Sequence, residues 1–360
     1  MSELDLARAE ILRLDGEIAH LFEKRMREVE KIAAYKQANG LPVRDPGREE
    51  TILARGRELI ADPDIQARYV EFQRGVMDIS ARYQESLIHG RSVAYCGVEG
   101  AYAYIAARKL FPEAACRGYG TFEDAYRAVE KGECDCAVLP LENSYAGEVG
   151  TVMDLLFTGS LFVNQVTDLP IRHALMACEG ADMGSVRTVY SHGQALHQCA
   201  SFLHSRGWET VECANTAMAA QKVKELNDPA VAAIASEETA ELYGLTLLEG
   251  GINDSANNTT RFAVLSRSQN RPNRSGLRDN AGFILVFTVQ NRAGALAQTL
   301  NIIGAHGYNM KTLRSRPMKD LQWNYYFYIE AEGNIVNDNG DMLMRELGVL
   351  CARLKLVGIY

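Results

Sequence analysis

Two groups of residues in this 360-residue chain are of types that do chemistry. One is Asn257-Asn258-Thr259-Thr260-Arg261-Phe262, directly before the apolar run Ala263-Val264-Leu265. Two amides, two hydroxyls and a cation at a strand start can hold an anion and hand it a proton; as an isolated string they are also ordinary loop chemistry. The other group lies near the N-terminus. Arg25 falls on the apolar stripe of a long helix, in phase with Ile11, Ile18 and Ile32, where a charge is costly unless paired. Lys36 returns to within roughly 20° of Arg25 at about 100° per residue, while Arg8 points about 100° away and could serve a partner chain's site. Ser80 and Gln84 sit one turn apart on a later helix, and Asp45, Arg48 and Glu49 cluster at a helix start. Cations around a small buried space imply a small polyanion such as a dicarboxylate.

These groups need elements to hold them. The apolar spacing predicts a helix over residues 4–38, stopped by Gly40 and Pro42. Asp45 caps a second helix with Pro46 at its first position. A third long helix follows Asp62-Pro63. Three helices so unequal in length make a poor monomeric core, so an intertwined homodimer or a higher homo-oligomer is expected. From Ser92 the period changes to two successive βαβαβ patterns, which predict two α/β lobes with a cleft. Ligands there meet loops at the carboxyl ends of strands: GVEGAY, PLENS, SHGQ and SEET. Residues 266–280, polar, basic and rich in breakers, read as a linker. Beyond them a βαββαβ pattern predicts a ferredoxin-like domain, with MLMRELGVLCARLK as its second helix and LVGIY as its last strand. The domains would be 1–89, 92–268 and 281–360.

Composition narrows the function. Hydrophobic residues make up 47% and charged residues 23%, and the net charge is −8. An acidic chain is a poor general binder of nucleic acid or anionic membrane. The N-terminal MSELDLARAE has no apolar core, and no apolar run approaches the ~20 residues of a membrane span, so a cytoplasmic protein is expected. Of eight cysteines only Cys134 and Cys136 are close. That pair reads as reduced thiols beside a buried strand, and neither metal nor cofactor is expected.

Residues 4–88 resemble the all-helical chorismate mutases, matching at Arg8, Arg25, Lys36, Asp45, Arg48, Glu49, Ser80 and Gln84. The resemblance implies rearrangement of chorismate to prephenate, with Lys36 and Gln84 donating to the breaking ether oxygen and Arg25, with a partner's Arg8, gripping carboxylates. Residues 92–265 resemble prephenate dehydratases through PLENS with Gly147, IRHAL, SHGQALHQC and TTRF. The resemblance implies loss of water and carbon dioxide from prephenate. Thr260 is then the hydrogen-bond donor to the leaving hydroxyl, and Glu142 a rival acid whose pKa a bound dianion would raise. Asn143, Ser144, Ser191, Gln198 and Arg261 would bind prephenate, with Arg261 alternatively structural. Val98, Ala101 and Ala103 depart from the family's glycine loop, which leaves open an arogenate preference or a single live activity. Gly294-Ala295-Leu296 and Ser315-Arg316-Pro317 are similar to the ligand motifs of ACT regulatory domains, with Arg314 in place of an acid. They imply feedback inhibition by L-phenylalanine. A reading of another class is a non-catalytic small-molecule sensor, since two lobes and a cleft also make a ligand-binding clamp.

Overall fold

The computed structural model describes residues 2–269, 281–318 and 324–360. They form two compact units, residues 1–91 and 92–360. The predicted linker's residues 270–280 lie outside the described residues.

The first unit is three helices: α1 (Glu3–Asn39), α2 (Pro46–Glu58) and α3 (Pro63–His89). Their ends follow from local chemistry. The Ser2 hydroxyl accepts from Asp5 N–H while the Asp5 carboxylate takes the Ser2 N–H, a reciprocal capping box. Gly40 closes α1 in the left-handed conformation at φ 63°. Asp45 and Asp62 cap α2 and α3, each with Pro at the first position. Val29 and Ala33 of α1 are buried, as are Val70, Val76, Met77 and Ala81 of α3. The N-terminal half of α1 has no such cover: Leu4, Ile11, Ile18 and Leu21 are 50–63% exposed. Among the described residues of the helical unit nothing covers this apolar stripe on a charged helix.

The second unit begins with β1 (Ser92–Cys96), α4 (Tyr102–Leu110), β2 (Ala115–Tyr119), α5 (Phe122–Lys131) and β3 (Cys136–Asn143). There follow β4 (Gly147–Glu148), α6 (Gly150–Thr158), β5 (Phe162–Pro170), β6 (Ala174–Ala177) and β7 (Thr188–Ser191). Next come α7 (Gly193–Gln198), α8 (Ala200–Arg206), β8 (Glu209–Glu212), α9 (Thr216–Leu226), β9 (Val231–Ala235), α10 (Glu237–Tyr243), β10 (Thr246–Glu249) and β11 (Thr259–Ser266). The chain ends in β12 (Gly282–Val289), α11 (Ala295–Ala305), β13 (Asn309–Pro317), β14 (Tyr325–Glu332), α12 (Asp338–Leu350) and β15 (Cys351–Ile359).

The repeat read from the sequence appears as matched topology. In one lobe the parallel order is β2-β1-β3, with β11 antiparallel beside β3. In the other it is β8-β7-β9, with β6 antiparallel beside β9. The central strands β1, β3 and β9 are largely buried, β9 being rich in alanine, which allows helices close on both faces. Two crossings join the lobes, Ile171–His173 and Gly250–Asn258. They hydrogen-bond to each other: Ile171 N to Asn258 O at 2.8 Å and Ile252 N to His173 O at 3.0 Å.

The C-terminal βαββαβ segment lays its strands in the order β13-β14-β12-β15, and Gly358 of β15 meets Val163 of β5. Its sheet thereby continues that of the first lobe. One expectation is corrected here. Cys351–Lys355 is the start of β15 and not the end of a helix, because Cys351, Arg353, Leu354 and Lys355 pair in register with Val289, Thr288, Phe287 and Val286 of β12. A helical reading of CARLK loses to a tertiary partner. Between α7 and α8 the helix is interrupted at Cys199, whose φ of −117° and ψ of 22° are not helical.

Candidate functional site

In the helical unit, Ser80 and Gln84 are buried on α3 and face α1. The Arg25 guanidinium donates to Ser80 Oγ, which itself donates to Val76 O at 2.6 Å. Burial draws the Arg25 pKa down from its ordinary value. Gln84 Nε2 bonds Ser80 O at 3.3 Å, while its Oε1 is buried without a partner. Lys36 Nζ rests on Val43 O, a neutral carbonyl. The cations are thus in place without a carboxylate between them. The remaining four positions stand apart. Asp45 caps α2 through the Arg48 N–H, the Arg48 side chain is exposed, and Glu49 lies 3.7 Å from Arg44. Arg8 is exposed on the bare half of α1, about 25 Å along the helix axis from Arg25.

The second unit holds a cavity of ≈ 730 Å³ between its lobes. Its walls include Val98, Ala101, Ala103, Phe122, Pro140, Val149, Ile171, Met218 and Phe262, with Asn143, His173, Gln198 and Thr260 as polar groups. The GVEGAYA loop ends at the start of α4, with Gly97 and Gly100 at φ 106° and 85°. Ala101 gives that helix no side-chain cap, so its first N–H groups are available to an anion.

Asn143, at the end of β3, organises the polar wall. Its Oδ1 accepts the backbone N–H groups of Tyr145 (3.0 Å) and Ala146 (2.9 Å), which fixes the amide's orientation because those groups only donate. Its Nδ2 therefore donates, to Asn258 Oδ1 and to Thr260 Oγ1, both at 2.9 Å. Thr260 Oγ1 is used as an acceptor, and its own proton is left to point elsewhere. Asn258 in turn keeps its Nδ2 buried and unpartnered. Gln198 presents a second buried, unpartnered amide nitrogen, because its Oε1 is engaged by His173 Nε2 at 2.8 Å. His173, which the sequence reading quoted only as part of the IRHAL string, also lines the cavity; the signal was an ionisable ring beside the apolar Ala174-Leu175.

The rival acid and several expected prephenate-binding residues do not line the cavity. Glu142 lies outside its walls and pairs with Arg314 of β13. Period-2 alternation sends adjacent residues of β3 to opposite faces, so Asn143 inside places Glu142 outside. Arg261 is turned away for the same reason: NH1 donates to Glu330 at 2.8 Å and Nε lies 3.3 Å from Asp168. Its structural alternative is the one observed. Ser191 is fully buried and donates to Ile234 O at 2.6 Å, which ties β7 to β9. Ser144 bonds Asn257 O and accepts from Thr259 N, stapling the start of β11.

In the C-terminal segment Gly294, at φ 81°, precedes α11, where Ala295 is buried and Leu296 packs on the core. Ser315 and Pro317 lie on the exposed face of β13. Arg316 is occupied, donating to Glu148 at 2.6 Å and Asp154 at 3.0 Å. Cys134 and Cys136 are buried and form no disulfide. Among the described residues no cluster of three or more His, Cys, Asp or Glu could hold a metal, and no helix is long and apolar enough to cross a membrane.

Comparison with known proteins places both units. Residues 7–85 match the family model of chorismate mutase type II, and residues 93–270 that of prephenate dehydratase. A bifunctional chorismate mutase/prephenate dehydratase from Enterobacter agglomerans is 33% identical, over 94% of this chain and 91% of its own. Two solved structures each cover 75% of the chain at TM-score 0.69. One is a quorum-quenching acylase, 29% identical over 97% of its length. The other is a prephenate dehydratase from Arthrobacter aurescens in complex with L-Phe, 26% identical over 89% of its length. Two matched units in one order, in a chain covered almost end to end, are decisive: this chain belongs to the bifunctional chorismate mutase/prephenate dehydratases.

Proposed function

We propose that the helical unit rearranges chorismate to prephenate and that the cleft converts prephenate to phenylpyruvate. The rearrangement needs no general acid or base. The enzyme holds a compact conformer and stabilises charge growing on the ether oxygen, roles suited to Lys36 and Gln84, with Arg25 on a carboxylate. The bare stripe of α1 and the distance of Arg8 from Arg25 support an intertwined dimer, in which a second copy covers the stripe and lends its Arg8.

In the cleft, the ring hydroxyl leaves as its C–O bond breaks and one proton is taken up to form water. The C–C bond to the ring carboxylate breaks together with it, its electron pair flows into the ring, and carbon dioxide departs. Thr260 donates to the leaving oxygen. The observation that carries this is the Asn143–Thr260 bond, whose fixed polarity spares the Thr260 proton. Gln198 and the uncapped start of α4 take carboxylates, and the apolar walls take the ring.

The C-terminal segment is the regulatory domain on this reading. The L-Phe complex of the Arthrobacter protein supports phenylalanine as effector, bound near Gly294–Leu296 and Ser315–Pro317. Arg314 and Arg316 tie that strand to Glu142, Glu148 and Asp154 beside the cleft, a route by which effector binding shifts the lobes. Incubating purified protein with chorismate tests the whole reading: prephenate should appear first, then phenylpyruvate, with the second step slowed by L-phenylalanine. Prephenate accumulating alone would overturn the dehydratase assignment.

A further inference from the structure

We infer that His173 and Tyr102 are positioning residues that aim the amide nitrogen of Gln198 into the cleft, where it holds a carboxylate of the substrate; the inference rests on the dehydratase reading above. The three side chains form one chain of hydrogen bonds across the hinge. Tyr102 opens α4 in the first lobe, Gln198 ends α7 in the second, and His173 lies on the crossing between them. His173 bonds Tyr102 OH through Nδ1 at 3.0 Å and Gln198 Oε1 through Nε2 at 2.8 Å.

The crossing holds the imidazole in place. His173 N donates to Asn253 Oδ1 at 2.6 Å, its carbonyl accepts from Ile252 N, and Asn253 Nδ2 donates to Ile171 O at 3.0 Å. The ring is 2% exposed and Gln198 6%. Burial lowers the His173 pKa, the Gln198 bond only partly opposing it. Burial also raises that of Tyr102 well above its ordinary value. The imidazole is therefore neutral, with one donor and one acceptor, and the tyrosine keeps its single proton.

That proton has two acceptors in reach, His173 Nδ1 and Arg172 O at 2.8 Å. Given to Nδ1, it leaves the imidazole proton on Nε2. Nε2–H then donates to Gln198 Oε1, and the Gln198 N–H groups face the cleft without a protein partner. Given to Arg172 O, it reverses the chain: Nδ1–H donates to the tyrosine, Nε2 accepts, and Gln198 must turn its carbonyl to the cleft. A dianionic substrate is held by the first arrangement and repelled by the second. The geometry of Gln198 is that of the first, and the hinge residues decide which way the amide points.

The test uses the full-length chain and the variants His173→Leu, His173→Gln and Tyr102→Phe. His173→Leu should raise the KM for prephenate by roughly tenfold to a hundredfold, the cost of one hydrogen bond to a charged group, with kcat changed less. His173→Gln, whose amide can still donate to Gln198, should recover most of that loss. Tyr102→Phe should fall between. Chorismate mutase activity and melting temperature report folding in each variant. Nitrogen NMR of the wild type, with the His173 resonance assigned by its loss in His173→Gln, should show an Nε2–H tautomer. An unchanged KM in a folded His173→Leu variant, or an Nδ1–H tautomer, overturns the inference. Wild-type protein that leaves prephenate unaltered overturns the dehydratase reading instead, and the ligand-free tautomer still judges the hydrogen-bond chain separately.

Discussion

Thr260→Val is the sharpest perturbation of the cleft. Valine keeps the β-branched shape that β11 requires and removes only the hydroxyl. The backbone pairings of Thr260 with Asn143 and Leu169 are untouched. Asn143 Nδ2 loses one acceptor and retains Asn258 Oδ1 at 2.9 Å and Thr259 O at 3.3 Å. The cost in folding stability should then be about 1 kcal/mol, the net worth of one neutral hydrogen bond. The effect on the reaction should be larger. A donor aimed at charge that develops only in the transition state is worth about 3–4 kcal/mol, or roughly 10²–10³ in kcat. Phenylpyruvate formation from prephenate measures kcat and KM separately, and prephenate formation from chorismate by the same sample is the internal control. Thr260→Ser, which retains the proton, should recover most of the rate. A folded Thr260→Val protein with dehydratase kcat within about threefold of wild type would refute the assignment, since so small a change is far below what loss of that donor costs.

Glu142→Gln should lower dehydratase kcat by less than about tenfold, because it weakens a half-exposed ion pair with Arg314 and touches nothing in the cleft; a hundredfold loss in prephenate turnover would restore Glu142 as the acid. Ile18→Glu places a charge on the bare stripe of α1. It should shift the protein toward a monomer by sedimentation and abolish mutase activity while prephenate turnover persists; a monomeric wild type would sink the dimer. Burial, with Arg353 adding to it, depresses the Lys355 pKa to about 8, so in the folded state its proton is lost first. Stability should therefore rise with pH from about 8 toward the unfolded value of 10.5, and Lys355→Met should flatten that rise in denaturant titrations.

Helix ends and the change of period were legible because they rest on local chemistry: Asp45 caps a helix, Gly40 ends one and Asp62-Pro63 separates two, as their types dictate. The residues lining the two sites were legible in part. Asn143, Gln198 and Thr260 line the cavity, and Arg25, Ser80 and Gln84 converge in the helical unit. Glu142 stays outside the cavity and Arg261 takes its structural alternative for one reason. A motif names neighbours in sequence, and on a strand neighbours face opposite ways. Only the pairing of β3 with β11, bulged between Arg261 and Phe262, fixes which residue of each string enters the cleft. His173 escaped because its role depends on Tyr102 and Gln198, which are near it only through the fold.

The two sites handle anions differently, and the proposed reactions explain why. The helical unit sets Arg25 and Lys36 around its site, whereas among the described residues no Lys or Arg lines the cavity of the cleft. In the rearrangement both carboxylates survive and negative charge accumulates on an ether oxygen, so fixed cations favour the transition state. In the dehydration one carboxylate must give up its charge to the ring and depart as carbon dioxide. A cation clamped on that group would stabilise the ground state more than the transition state and slow the step. Neutral donors of fixed polarity avoid the penalty. Asn143 receives its orientation from two backbone N–H groups and passes it to Asn258 and Thr260. Gln198 receives its orientation from the hinge. The cleft then holds a dianion with oriented dipoles, preorganised by the backbone, and leaves the electron pair free to move.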